Sequence, residues 1–335
     1  MRTVALEEHF NVPSVVARID PAAIRRRGFP PPEDTPSEMA GPQAKLKELG
    51  ASRLSEMDAA GIDVQVLSVA GPGADLLPGE EGIAFAREVN DTLARTIAAH
   101  PDRYAGFAHL PTQSPEGAAD ELERAVKTHG LCGAMVNGLT EGKFLDDPSF
   151  DVLLARAEAL DVPIYIHPNL PPAAVRAAYY EGLPKPSVGY ALSIAGWGWH
   201  SETAIHVLRL VLSGTLDRHP KLKIIIGHMG EMLPMMLVRS DKVLGGETSS
   251  YLQRSVMQTV LDQVHVTTSG LFTLPPFQAL LDVFGIERVM FSVDYPFSPN
   301  GAGRTFLDKL SLSEGDKEKL THGNADRLLK LQTRR

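Results

Sequence analysis

Val4-Ala5-Leu6-Glu7-Glu8-His9-Phe10 opens the chain, and its reading decides the fold. An apolar run that turns acidic and then basic reads as a strand leaving a core, and residues two apart along a strand share a face. Glu7 and His9 therefore point the same way. At the C-terminal end of a buried strand they turn a carboxylate and an imidazole toward a common interior, which suits a divalent metal. Taken alone, the stretch describes a satisfied surface pair equally well. Recurrence separates the two readings: apolar strands ending in His or Asp return in VPIYIHP (162–168), KIIIGH (223–228) and VMFSVD (289–294).

Working outward, predicted strands at 64–70, 104–110, 132–137, 162–167, 223–228, 265–269 and 289–294 follow the first. Predicted helices at 44–61, 80–100, 114–129, 148–160, 201–216, 231–244 and 275–284 separate them, and two short helices close the chain. Ser114 before Pro115 reads as an N-cap. Two stretches read as long loops: 11–42, with Gly28-Phe29-Pro30-Pro31-Pro32 at its centre, and 168–199, rich in Pro, Gly and aromatics. Eight strands each followed by a helix is the count that closes a parallel barrel. The expected fold class is therefore α/β, a distorted (β/α)8 TIM barrel with long loop insertions, forming a single domain over residues 1–335. The strands are continuously apolar, as strands buried on both faces are. A doubly wound open sheet is the runner-up. It calls for a glycine-rich phosphate loop after the first strand, where this chain has Glu-Glu-His and prolines.

Composition narrows the function. Across 335 residues, 33 Lys and Arg stand against 41 Asp and Glu, a formal charge of −8, and Arg25-Arg26-Arg27 is the one basic block. A nucleic-acid partner is not expected. The single cysteine, Cys132, excludes an internal disulfide and fits a reducing compartment. With no apolar run near the roughly 20 residues that span a bilayer and no signal-like start, a soluble cytoplasmic protein is expected.

In a barrel, chemistry sits at the C-terminal ends of the strands. Those ends carry Glu7 and His9, then His167, His228 and Asp294. A single strand-end histidine is more often structural than a ligand. The whole set in one mouth is costly unless its members are paired or bound to a cation. Two imidazoles and two carboxylates suit one Zn²⁺ or Mn²⁺, so Glu7, His9, His167 and Asp294 are assigned as ligands. His228 stands beside the metal, and Glu231 in the same HMGE segment can orient it. Glu231 also has the bland role of a first-turn carboxylate facing a helix dipole.

Read together, ALEEHF (5–10), RLSEMDAAGID (53–63), MVNG (135–138), YIHP (165–168), ETAIHVLRL (202–210), GHMGE (227–231), HVTTSG (265–270), FSVDYPF (291–297) and GNADRLLKL (323–331) resemble the amidohydrolase superfamily. More narrowly, they resemble its branch of metal-dependent non-oxidative decarboxylases. The resemblance implies that Glu7 and His9 are an E-x-H pair, His167 and Asp294 the ligands of strands five and eight, and His228 with Glu231 a pair beside the metal. It further implies pocket-lining Asn137, an Arg239 that reaches a neighbouring subunit's site, and Arg53 as another anionic contact. A homodimer or homotetramer follows from that arginine and the aromatic long loops. Val136-Asn137-Gly138 lacks the bridging lysine of two-metal relatives, which favours a single metal. His109, Trp197-Gly198-Trp199-His200 and the Pro-rich insert depart from the branch where substrate is read.

The implied reaction is loss of CO₂ from an aromatic carboxylic acid bearing an ortho hydroxyl. Asp294 would protonate the ring carbon, and His228, held by Glu231, would tune that proton or deprotonate the phenol. Hydrolysis of a lactone, ester or amide by metal-bound water is the alternative enzyme reading. A non-catalytic barrel with a structural metal is the third, and it has no need of His228 and Glu231.

Overall fold

The computed structural model describes residues 1–30 and 41–331. Eight strand positions alternate with helices: β1 (Val4–Phe10), β2 (Val64–Val69), β3 (Tyr104–Gly106, resuming as Ala108–His109), β4 (Ala134–Asn137), β5 (Ile164–His167), β6 (Ile224–Ile226), β7 (Val264–Thr267) and β8 (Val289–Met290). Neighbours pair parallel in chain order. At the interruption of β3 the ladder passes through Phe107 N–H to the Leu67 carbonyl (2.9 Å) and Ala108 N–H to that of Gly133 (2.8 Å). A parallel bridge between Leu6 and Ser292 closes the ring. The architecture is the expected distorted barrel.

Side chains alternate across the barrel wall. Val4, Leu6, Val66, Phe107, Met135, Tyr165, Ile225 and Met290 fill the interior, with Ala325 and Leu329 of the helix Asn324–Leu329 packed against them. Ala5, Leu67, Ala134, Ile164, Ile224 and Val266 belong to the larger cluster shared with the outer helices. Both faces being apolar, the strands read as unbroken hydrophobic runs.

One irregularity in β1 sets the direction of the site. Ala5 pairs with Gln65 and Glu8 with Leu67, so β1 takes three steps where β2 takes two. The extra residue is a β-bulge, a feature that re-aims side chains. Strict alternation from Val4 and Leu6 would send Glu8 and Phe10 inward and turn Glu7 and His9 away. With the bulge, Phe10 packs in the outer cluster. Glu8 accepts from Val293 N–H (2.9 Å), while Glu7 and His9 face the barrel mouth.

Several expected elements differ in detail. The insert read as loop contains the helices Pro13–Val16 and Pro21–Arg27, each with proline in its first turn. Asp20 caps the second, accepting from Ala22 N–H at 2.8 Å, and left-handed Gly28 (φ 106°) ends it. Residues 31–40 of that insert lie outside the described residues. The second loop likewise holds helices Ala173–Tyr179 and Pro186–Ser193. The helix expected at 44–61 divides into a 3₁₀ segment, Gly41–Lys47, and Ala51–Ala59. The one expected at 201–216 starts at Gly198 and ends at Leu212. Ser114 precedes its helix without a capping hydrogen bond. Val256–Gln263, capped by Ser255, was not expected. Strands β6 and β8 stop early, so His228 and Asp294 ride on turns beyond the sheet.

Two buried histidines are structural. His109 Nε2 accepts from Ala74 N–H (2.8 Å) and His206 Nε2 from Leu145 N–H (2.9 Å), so both are neutral. His109 does not line the cavity at the C-terminal ends of the strands, which corrects the expectation that it reads substrate. Burial holds His109 down at about 4, and burial with nearby Arg209 holds His206 at about 3. Below the ordinary histidine value of about 6.5 the unfolded chain takes up protons that the folded chain refuses, so stability falls as pH drops from about 6.5 toward 4. Unfolding free energies from urea titrations should fall less between pH 7 and pH 5 in His206→Gln than in the parent, by up to about 1.4 kcal/mol per pH unit. An identical slope in the two proteins contradicts this assignment.

Candidate metal centre

Glu7, His9, His167 and Asp294 converge with their donor atoms within 4.8 Å of one another. Each stands at the C-terminal edge of the barrel, on β1, β5 or the turn after β8. His9 Nε2 lies 3.2 Å from Asp294 Oδ1, and His167 Nε2 lies 3.4 Å from Glu7 Oε1. Two donors about 2.05 Å from one ion at the tetrahedral angle are separated by about 3.3 Å. Glu7 Oε1 and His9 Nε2 are buried without a hydrogen-bond partner. Buried polar atoms rarely go unpartnered. The four residues fit one divalent metal.

The surroundings fix these donors. Glu7 Oε2 accepts from Tyr165 Oη and Ser269 Oγ, leaving Oε1 for the centre. A Cβ on Gly227 would come within 2.6 Å of Glu7 Oε2, so a larger residue there would push the Glu7 carboxylate off its Tyr165 and Ser269 partners. Ser68 Oγ holds His9 Nδ1 at 3.1 Å. Backbone strain concentrates here too. Glu7 (φ 60°), His228 (47°), Met229 (56°), Glu231 (53°), Met232 (67°) and Asp294 (68°) are left-handed without being glycine. Such residues cluster where structure over-determines an unfavourable conformation.

His228 Nε2 faces the same centre, 3.7 Å from Glu7 Oε1 and 3.9 Å from Asp294 Oδ2. Its Nδ1 donates to Glu231 Oε1 at 2.7 Å, and His200 Nδ1 meets the other carboxylate oxygen at 2.6 Å. Those separations are too short for two ligands of one ion and mark a hydrogen-bonded triad. Burial pushes the His228 imidazole down, but Glu231 and then Glu7 outweigh it and hold it well above the usual range. Burial would raise Glu231, yet His228 and His200 bring it to about 2. Burial opposes ionisation of Asp294 as well. The neighbouring His228 and His9 imidazoles outweigh it, and the Asp294 carboxyl stays far below the usual range. His167, buried and beside His9, falls to about 3 and is a neutral imidazole.

Above the donors opens a cavity of about 270 Å³ lined by Phe29, Phe297, Trp199, Leu271, Asn137 and the histidines. Its size, near the lower end for ligand sites, suits a single ring. Asn137 reaches it as expected. Arg53 does not: it is fully buried, donating to the His9 carbonyl and to Gln65 Oε1, both at 2.7 Å, with its guanidinium over Tyr295. The expected anionic contact is thus a clamp on the backbone of β1. Arg239 is exposed on the helix Leu233–Thr248 and does not line this cavity.

A family model described as amidohydrolase matches residues 18–331. The chain belongs to the amidohydrolase family. Among curated relatives of this amidohydrolase, γ-resorcylate decarboxylase of Rhodococcus jostii is 38% identical over 341 residues, 98% of each chain. Among solved structures, 2,6-dihydroxybenzoate decarboxylase from Rhizobium superposes with a TM-score of 0.86 at 34% identity, covering 99% of each chain. The dihydroxybenzoic acid decarboxylase of Polaromonas sp., solved with bound manganese and the inhibitor 2-nitroresorcinol, does so at 0.86 and 33%, covering 99% of this chain and 97% of that one. The amidohydrolase lies in the metal-dependent decarboxylase branch and is a carboxy-lyase.

Sequence reading missed Tyr165, Ser269, Phe29, Phe297 and the tie between His200 and Glu231. Tyr165 was within reach, since it stands two residues before His167 on a strand and shares its face. Tyr165→Phe leaves Glu7 Oε2 with Ser269 alone. Manganese affinity measured by chelator competition should weaken about 10- to 100-fold, and an unchanged affinity contradicts the role given to the phenol.

Proposed function

We propose that this amidohydrolase removes CO₂ from a benzoate carrying a hydroxyl ortho to the carboxylate. The observation that carries the reading is the single-ring cavity with aromatic walls, set directly over the four donors and the His228–Glu231 pair. Names of the relatives support the same substrate class. Glu7, His9, His167 and Asp294 would hold the metal, manganese or zinc by donor type; the manganese in the Polaromonas relative supports manganese. When bound, it supplies positive charge that orients and neutralises the substrate's phenolate and carboxylate oxygens.

The protein's own groups then handle the ring and the proton. Phe29, Phe297, Trp199 and Leu271 enclose the ring and keep out water. Glu231 favours the protonated form of His228, which suits that histidine as the source of the proton and Asp294 as its carrier. Asp294, 3.9 Å from His228 Nε2, passes that proton to the carboxyl-bearing carbon. The bond to the carboxylate then breaks, its electron pair restores aromaticity and CO₂ departs. Glu231 keeps the His228 imidazole oriented throughout.

Arg239 shares its helix face with exposed Met235, Met236, Val238 and Val243. An apolar face of this kind is an interaction surface, and we propose that a second copy covers it, as homodimer or homotetramer, bringing Arg239 to the neighbour's substrate carboxylate. Buried Cys132 is in keeping with the cytoplasm. Among the described residues no helix is long and apolar enough to cross a membrane.

2-Hydroxybenzoates should release CO₂, and their 3- and 4-hydroxy isomers should not. Asp294→Asn should keep its metal and lose at least about 100-fold in kcat; near-normal turnover removes the aspartate from the proton path. Mixing Arg239→Ala with His167→Ala subunits should restore part of the activity that neither has alone, and no restoration means that each site is self-contained.

A further inference from the structure

Glu231 serves two histidines, and the second has no role in the reaction as derived above. His200, at the start of the helix Gly198–Leu212, lines the cavity and stacks edge-on against His228, with ring centroids 5.0 Å apart. Its Nδ1 is 2.6 Å from Glu231 Oε2, and its Nε2 is 3.0 Å from the Ala195 carbonyl oxygen. A carbonyl oxygen only accepts, so Nε2 carries a proton. Glu231 also takes the Nδ1–H of His228 at its other oxygen, and the two imidazoles outweigh burial and hold its carboxyl at about 2, so it is ionised and likewise only accepts. Both nitrogens of His200 therefore carry protons.

We propose that His200 is a positioning residue for the decarboxylation: held as an imidazolium between Glu231 and the Ala195 carbonyl, it pins the Glu231 carboxylate so that His228 keeps one tautomer and one orientation. The proposal rests on the functional reading above for the use made of His228, and on the contacts around Glu231 and Ala195 for the state of His200. A buried carboxylate with one hydrogen-bond partner can pivot. One that is gripped at both oxygens cannot, and charge-assisted bonds of this length are the strong ones. His228 faces the donors at 3.7 and 3.9 Å, so a small rotation of its ring breaks the alignment on which proton transfer depends.

The test uses protein loaded with diamagnetic zinc and carrying ¹⁵N-labelled histidine, assigned by comparison with His200→Gln. Expected at neutral pH are directly bonded protons on both His200 nitrogens. Parent turnover on 2-hydroxybenzoates and metal content, measured first, settle the reading on which the proposal rests. His200→Ala should then retain its metal and KM within about twofold while kcat falls about tenfold, the loss expected for one charge-assisted hydrogen bond. His200→Gln, which can still donate to Glu231, should recover most of that loss, whereas His200→Met, which fills the space without donating, should stay as slow as alanine. A non-protonated Nε2, an alanine variant as fast as the parent, or a glutamine variant no better than alanine overturns the proposal.

Discussion

Two carboxylates, Glu7 and Asp294, are brought against three imidazoles at the mouth of an apolar barrel, and the rest of the structure is arranged around that concentration of charge. Without a cation between them, buried Glu7 is pushed toward its neutral form by desolvation, and Asp294 adds to that push. A divalent metal reverses the balance, because it is the largest local charge in such a site. What makes the encounter possible is one extra residue in β1. The bulge lets Leu6 fill the barrel core while its neighbour Glu7 turns to the centre. Arg53 clamps the strand just beyond, through the His9 carbonyl.

Function follows from the way the remaining groups divide the work. Tyr165 and Ser269 occupy one oxygen of Glu7 and thereby dedicate the other to the centre. The triad of His200, Glu231 and His228 is a second electrostatic unit beside the first, and His228 belongs to both. In a low-dielectric cavity such networks are strong when fully satisfied and costly when not. The left-handed backbone from His228 to Met232 is what brings these groups so close, a local cost borne by the packing around it.

Much of this was legible in the sequence because barrel sites obey a positional rule. Once the strands ending at Phe10, His167, His228 and Asp294 were recognised, the donors could be read at their ends. The bulge was not legible, since it depends on which residue of β2 each residue of β1 pairs with. The pairing of Glu7 and His9 was read correctly from period two, but it reaches the interior only because that period is interrupted before Glu8. Arg53 was misread although a signal existed: it stands one turn before Met57, on the stripe that faces the core. His200 was noticed only as a departure from relatives. Its partner Glu231 lies 31 positions further along, a contact that no local pattern encodes. The helices inside both long loops were hidden by their prolines, which mark first turns here and not breaks.

Pulsed electron paramagnetic resonance of the manganese-loaded protein tests the central claim most directly. Convergence of Glu7, His9, His167 and Asp294 on one ion predicts one manganese per chain coupled to imidazole nitrogens from two histidines, with one set of couplings lost in His9→Ala and the other in His167→Ala. A bound ion with no imidazole coupling, or couplings untouched by both substitutions, would contradict it.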